Sequence, residues 1–218
     1  NKIAKVDKVI KVLEKIKNKF DKKTKNVSLA DLIVLAGNTA VEKAAKKSGH
    51  KIKVPFMQGR GDAKQEQTDV FSFNLLEPKA DGFVNYNKIK STTSPEEMLI
   101  DKAQLMHLTS PEMTVLFGGM RVLGTNFDGS NYGVFTKKVG TLTNDYFKNL
   151  LDMNITWSDK DDKEQYFQGK NRKTNKVIWE GSRVDLIFGS NSHLRAIAEV
   201  YASDDSNAKF IKDFAKVW

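Results

Sequence analysis

Residues 112–124 read EMTVLFGGMRVLG, an apolar run interrupted by a glycine pair and one arginine. No other stretch limits the fold so tightly. Ser110-Pro111-Glu112 just before it opens a helix, with proline in the first turn and an acid at the positive end of the dipole. Gly118 and Gly119 therefore fall inside a helix, where each costs about 1 kcal/mol relative to alanine. A cost of that kind implies that another body comes close to the backbone: a second helix, or a flat cofactor. The stretch is not a phosphate loop. Such a loop needs its glycines ahead of the helix, followed by Lys-Ser/Thr, or a dinucleotide fingerprint after a strand.

Helix signals dominate the remainder. Ile3, Val6, Ile10, Leu13, Ile16 and Phe20 recur in steps of three and four. Ser28 with Asp31 predicts a capped helix running to about Lys47, with Gly49 beyond its end. Ser94-Pro95-Glu96-Glu97 opens a helix to about Leu108. Further helices are expected from Thr143 or Asn144 to about Asp152, from Ser190 to Ala202, and from Ser203 to Val217. Residues 59–69 and 125–133 read as polar loop and turn, and residues 164–181 as a hairpin. The class is mainly α with minor β.

The net charge of +9 raises the question of nucleic acid. Ten lysines among residues 1–25 face only Asp7, Glu14 and Asp21, which leaves +2 for all the rest. The excess belongs to one helix, and no aromatic residues interleave with it as base stacking would require. The simple reading is a solvated helix face. No run of 18 apolar residues predicts a membrane span. The absence of cysteine removes thiolate chemistry and suits a reducing, cytoplasmic setting.

Other chemistry is sparse. His50 reads as a loop residue, His107 as a partly buried histidine near a helix end, and His193 as part of a cap. None pairs with a second ligand at metal spacing. The acid clusters Asp161-Asp162-Lys163-Glu164 and Asp204-Asp205 lack the spacing of a calcium loop, the second reading as a helix first turn. Ser190 and Ser192 have no base at readable spacing. The tetrapeptide GRGD at 59–62 is read as a chance motif.

Four blocks carry a resemblance: VSLADLIVLAGNTAVEKAA (27–45), DKAQLMHLTSPEMTVLFGGMRVLG (101–124), GVFTKKVGTLTNDYFKNLLDM (133–153) and RVDLIFGSNSHLRAIAEVYASDDSNAKFIKDF (183–214). In content and order they resemble the C-terminal half of bacterial-type catalase-peroxidases. The resemblance implies a haem-peroxidase-like helical domain with a minor β-hairpin, residues 1–218 forming one domain that lacks its first helices. It implies that haem b and the peroxide chemistry belong to an N-terminal domain of the same protein, that the parent is a homodimer, and that this half supports folding and active-site architecture there. In the haem domain a similar helix reads Ala-Gly-Gly-His and supplies the axial ligand. Arg121 stands at that histidine's place here, with Met120 as the alternative register. Asp185, in RVDLIF, matches the aspartate that orients the histidine, and Trp157, in LLDMNITW, lies near the family's proximal tryptophan.

A guanidinium stays protonated and has no lone pair for iron. It can bond a carboxylate through two parallel hydrogen bonds and lie on an indole. The expectation is that Arg121 and Asp185 form a buried pair, with the guanidinium plane on Trp157, plugging a vestigial haem pocket. Three functions remain open: a non-catalytic supporting domain, a diverged peroxidase binding haem through His107 or His193, and a basic DNA-binding module.

Overall fold

The structure, a computed structural model, describes residues 3–22, 25–87, 93–160 and 165–218. The acid cluster at 161–164 lies outside them. The chain divides into two compact units, residues 1–43 with 53–77, and residues 44–52 with 78–218.

The first unit is built on α1 (Ile3–Phe20) and most of α2 (Leu29–Lys47). Ser28 caps α2 by accepting the Asp31 amide at 3.0 Å. The Asp31 carboxylate turns away from the cap and accepts from the Gly59 amide at 2.8 Å and Arg60 Nη1 at 3.0 Å. Asp62 accepts from the amides of Leu29 and Ala30, at 2.9 and 3.0 Å, and so covers the first turn of α2. The GRGD loop is thereby locked onto a helix end. A short helix that sequence periodicity did not reveal, α3 (Val70–Leu75), follows and is capped by Asp69.

The second unit packs helices around α5 (Ser110–Leu123), which is buried from Met113 through Gly119 and again at Arg121 and Val122. The strands β1 (Ala80–Asp81) and β2 (Tyr86–Asn87) pair antiparallel around a single turn of 3-10 helix, Gly82–Val84. Then come α4 (Pro95–Leu105), α5, α6 (Asp145–Leu150), the strands β3 (Ile155–Asp159), β4 (Tyr166–Asn171) and β5 (Val177–Ser182), and the helices α7 (Arg183–Ser190), α8 (Ser192–Ala202) and α9 (Asn207–Val217). Phe117, Tyr146, Phe147, Phe188, Phe210 and Phe214 are fully buried and form the aromatic core.

The expected mainly α class is what the chain adopts, and four boundaries differ for local reasons. The predicted hairpin is the β4–β5 pair, widened by β3 into a three-stranded antiparallel sheet in the order β3-β4-β5. Gly169 faces Trp157 on one side and Trp179 on the other, and a Cβ there would come within 3.0 Å of the Trp157 ring. The helix of residues 94–108 stops at Leu105 because His107 takes a left-handed φ of 54°. The cap of α5 is Thr109, not Ser110, with Glu112 closing the capping box. The last helix starts after Ser206, so Asp204 and Asp205 precede it instead of forming its first turn.

Candidate functional site

Gly118 and Gly119 are covered by aromatic rings. A Cβ on Gly118 would lie 2.5 Å from the ring of Phe147, on α6. One on Gly119 would lie 2.1 Å from the ring of Phe214, on α9. Of the two bodies that glycines inside a helix allow, this is the neighbouring helix. The missing side chains let α6 and α9 press phenylalanine against the α5 backbone.

Further along α5, Arg121 is the largest fully buried side chain among the described residues. Its Nε donates to Asp185 Oδ1 at 2.7 Å, with neither side chain exposed. The rest of the guanidinium is directed elsewhere: Nη1 donates to the Phe83 carbonyl at 2.9 Å and Nη2 to the Gly82 carbonyl at 3.1 Å. The two parallel bonds expected to Asp185 do not form, because its Oδ2 is already occupied. It accepts from the Ser182 amide and hydroxyl, both at 2.7 Å, in the capping box of α7. One carboxylate thus starts a helix and neutralises a buried cation. Gly133 makes room for it, at a φ of +75°, where a Cβ would lie 2.1 Å from Asp185 Oδ1.

The stacking partner also differs from expectation. The Arg121 guanidinium lies over the Phe117 ring, 4.2 Å from its centroid. Phe117 sits one turn earlier on the same helix, within reach of residue 121 at i, i+4. Trp157 lies further off: its ring packs on Phe135 at 5.2 Å, and Phe135 stacks on Tyr146 at 5.3 Å. Tyr146 then donates its hydroxyl to the Asp185 carbonyl at 2.8 Å. Burial, reinforced by the Asp185 charge, holds that phenol well above the ordinary tyrosine range. Trp157 is thus linked to Asp185 through the rings of Phe135 and Tyr146.

The remaining candidates stand apart from this cluster. Met120 is half-buried in an apolar cleft with Leu116 and Trp218. His107, expected to be partly buried, is exposed, since the left-handed turn that ends α4 carries it outward. His193 is exposed in the first turn of α8, where Asn191 caps the helix. His50 Nδ1 lies 3.0 Å from the Ser48 carbonyl. Sequence reasoning missed Phe117, Tyr146, Ser182 and the Gly82 and Phe83 carbonyls. Only Ser182 carried a readable signal, as the first residue of a Ser-x-x-Asp capping box.

Helices that bury a glycine face against one another, with a short antiparallel sheet beside them, define a mainly α class of domain. A family model described as peroxidase matches residues 1–204, and the chain belongs to that family. A catalase-peroxidase of Christiangramia forsetii is 59% identical over 223 residues, which take in all of this chain and 30% of the relative. One of Maridesulfovibrio salexigens is 55% identical, again across all of this chain and 30% of the relative. Catalase-peroxidase 2 of Alkaliphilus metalliredigens is 56% identical, and this chain spans 51% of it. The chain thus covers from under a third to about half the length of these relatives.

Membership of a haem-using family raises the question of fit. The residues on α5 do not fit haem. The space beside the α5 glycines is filled by Phe147 and Phe214, and the guanidinium of Arg121 has no lone pair to offer iron. No helix among the described residues is long and apolar enough to cross a membrane.

Proposed function

We propose that this chain is the haem-free C-terminal domain of a catalase-peroxidase, with residues 1–218 acting as one peroxidase-like domain without catalysis of its own. Its work is to support the folding and active-site architecture of an N-terminal domain that binds haem b. The parent breaks down hydrogen peroxide, oxidises small donors with it, forms a homodimer and resides in the cytoplasm. Arg121, Asp185 and Trp157 are the vestiges of a proximal haem pocket. One observation carries this reading. A permanently charged guanidinium, held by Asp185 and two backbone carbonyls, is buried at the position that the resemblance matches to the axial histidine.

Haem titration of the purified chain tests it. The expected spectrum is the sum of free haem and protein, with no saturable Soret shift. A saturable shift abolished by His107→Ala or His193→Ala would overturn the proposal in favour of a diverged haem-binding peroxidase. The supporting role is read separately. Adding this chain to a separately produced haem domain is expected to restore peroxide turnover that the haem domain alone lacks. Unchanged turnover removes that role.

A further inference from the structure

Trp157 also lines a cleft of about 250 Å³ in the second unit. Leu150 at the end of α6, Ile155 on β3 and Leu186 on α7 complete its apolar wall. All four residues come from within the body of the chain, so the concavity belongs to the fold of this unit. The indole is fixed by its other neighbours. Phe135 packs on it at 5.2 Å. Gly169 of β4 and Gly181 of β5 make room for its six-membered ring, which a Cβ would meet at 3.0 and 3.5 Å respectively. A wall held in this way is formed before any ligand arrives. Gly189 of α7 leaves space as well. A Cβ there would meet Leu150 at 3.4 Å, an ordinary contact, so a methyl group would fit and is absent.

The polar groups of the lining select among ligands. Arg195 of α8 gives Nε to Glu199 at 2.9 Å and Nη1 to the Gly189 carbonyl at 3.1 Å. These bonds tie the guanidinium between α8 and α7, while Nη2 has no hydrogen-bond partner among the described residues. Asp152 also lines the cleft, its Oδ1 accepting from the amide and side chain of Asn154. Asp152 and Glu199 thus set two carboxylates against one guanidinium, a balance that disfavours an anion. A cavity of about 150 Å³ with aliphatic and aromatic walls takes benzene, so this cleft has room for one ring and a short substituent. We infer that it binds a small uncharged aromatic carbonyl compound. The ring lies against Trp157 and Leu186, and the carbonyl oxygen accepts from Arg195 Nη2. This inference stands apart from the proposed function, since it needs only the cleft and its lining.

Acetophenone, benzoate and toluene test it, because they share a ring and differ at the substituent. Binding to the isotope-labelled chain is followed by the Trp157 indole N–H resonance, identified by its loss in Trp157→Phe. Acetophenone is expected to shift it saturably. It is expected to bind about fivefold or more tightly than toluene, which has no acceptor, and than benzoate, which brings a charge. Arg195→Met is expected to lower acetophenone to the level of toluene. Toluene binding and the thermal melt should stay as they are, since a half-exposed ion pair adds little to stability. Gly189→Ala is expected to weaken both ligands about threefold without lowering the melt. No saturable shift, equal binding of acetophenone and toluene, or tightest binding of benzoate overturns the inference. So does loss of acetophenone binding when a separately produced haem domain is added, which would assign the cleft to a protein contact.

Discussion

At the scale of single residues, the centre of the second unit is one buried charge pair. Arg121 is tolerated at full burial because Asp185 and the carbonyls of Gly82 and Phe83 engage Nε, Nη1 and Nη2. Removing one partner leaves an uncompensated charge in a dry interior. Asp185→Ala is therefore expected to cost about 3–5 kcal/mol in urea unfolding, part of it through loss of the α7 capping box. The double change Arg121→Met with Asp185→Leu removes both charges and is expected to recover much of that loss. An Asp185→Ala variant as stable as the parent would mean that the pair contributes nothing. The resemblance already paired Arg121 with Asp185, but the backbone partner was not legible in the sequence: Phe83 lies 38 positions from Arg121, and no local rule connects such positions.

At the scale of elements, the helix starts were legible because caps act over four residues. Ser94 with Glu97, and Thr109 with Glu112, form complete capping boxes. What escaped sequence reading were α3 and α7, too short to show a helical period, and β3, which becomes a strand only by pairing with β4. The α5 glycines are an element-scale device, since they set how closely α6 and α9 pack. Gly119→Ala would raise helix propensity in isolation, yet it drives a Cβ into Phe214. A net loss of about 1–3 kcal/mol is expected. Gly61→Ala is the matched control, having no atom within 4 Å of the added carbon, and is expected to be near neutral. Thermal melts of the two variants check this, and equal melting points would show that α9 yields at no cost.

At the scale of the whole molecule, both units rely on carboxylates held by hydrogen bonds. In the first unit, the Gly59 amide and then the Arg60 side chain lower the pKa of Asp31, and the amides of Leu29 and Ala30 lower that of Asp62. In the second, the Ser94 amide and hydroxyl lower Glu97, and the Thr109 hydroxyl and amide lower Glu112. A carboxylate with a depressed folded pKa stabilises the fold above its unfolded value, and that stability is lost as pH falls through the folded value. These groups are expected to contribute a level melting temperature above about pH 5 and a progressive fall below about pH 4. Melting curves between those values and about pH 2 check it, and a flat profile would contradict it.

The sequence by itself determined the mainly α class, most helix starts, the concentration of positive charge on α1, and a side chain without a lone pair for a metal at position 121. These follow from residue type or from interactions within a turn or two of backbone. Only the tertiary structure decided that phenylalanine rings cover the α5 glycines, that Asp185 divides its two oxygens between Ser182 and Arg121, and that Phe117, not Trp157, lies under the guanidinium. Those outcomes depend on segments dozens of residues apart meeting in a close-packed interior, where the space left by one side chain fixes what the next can be.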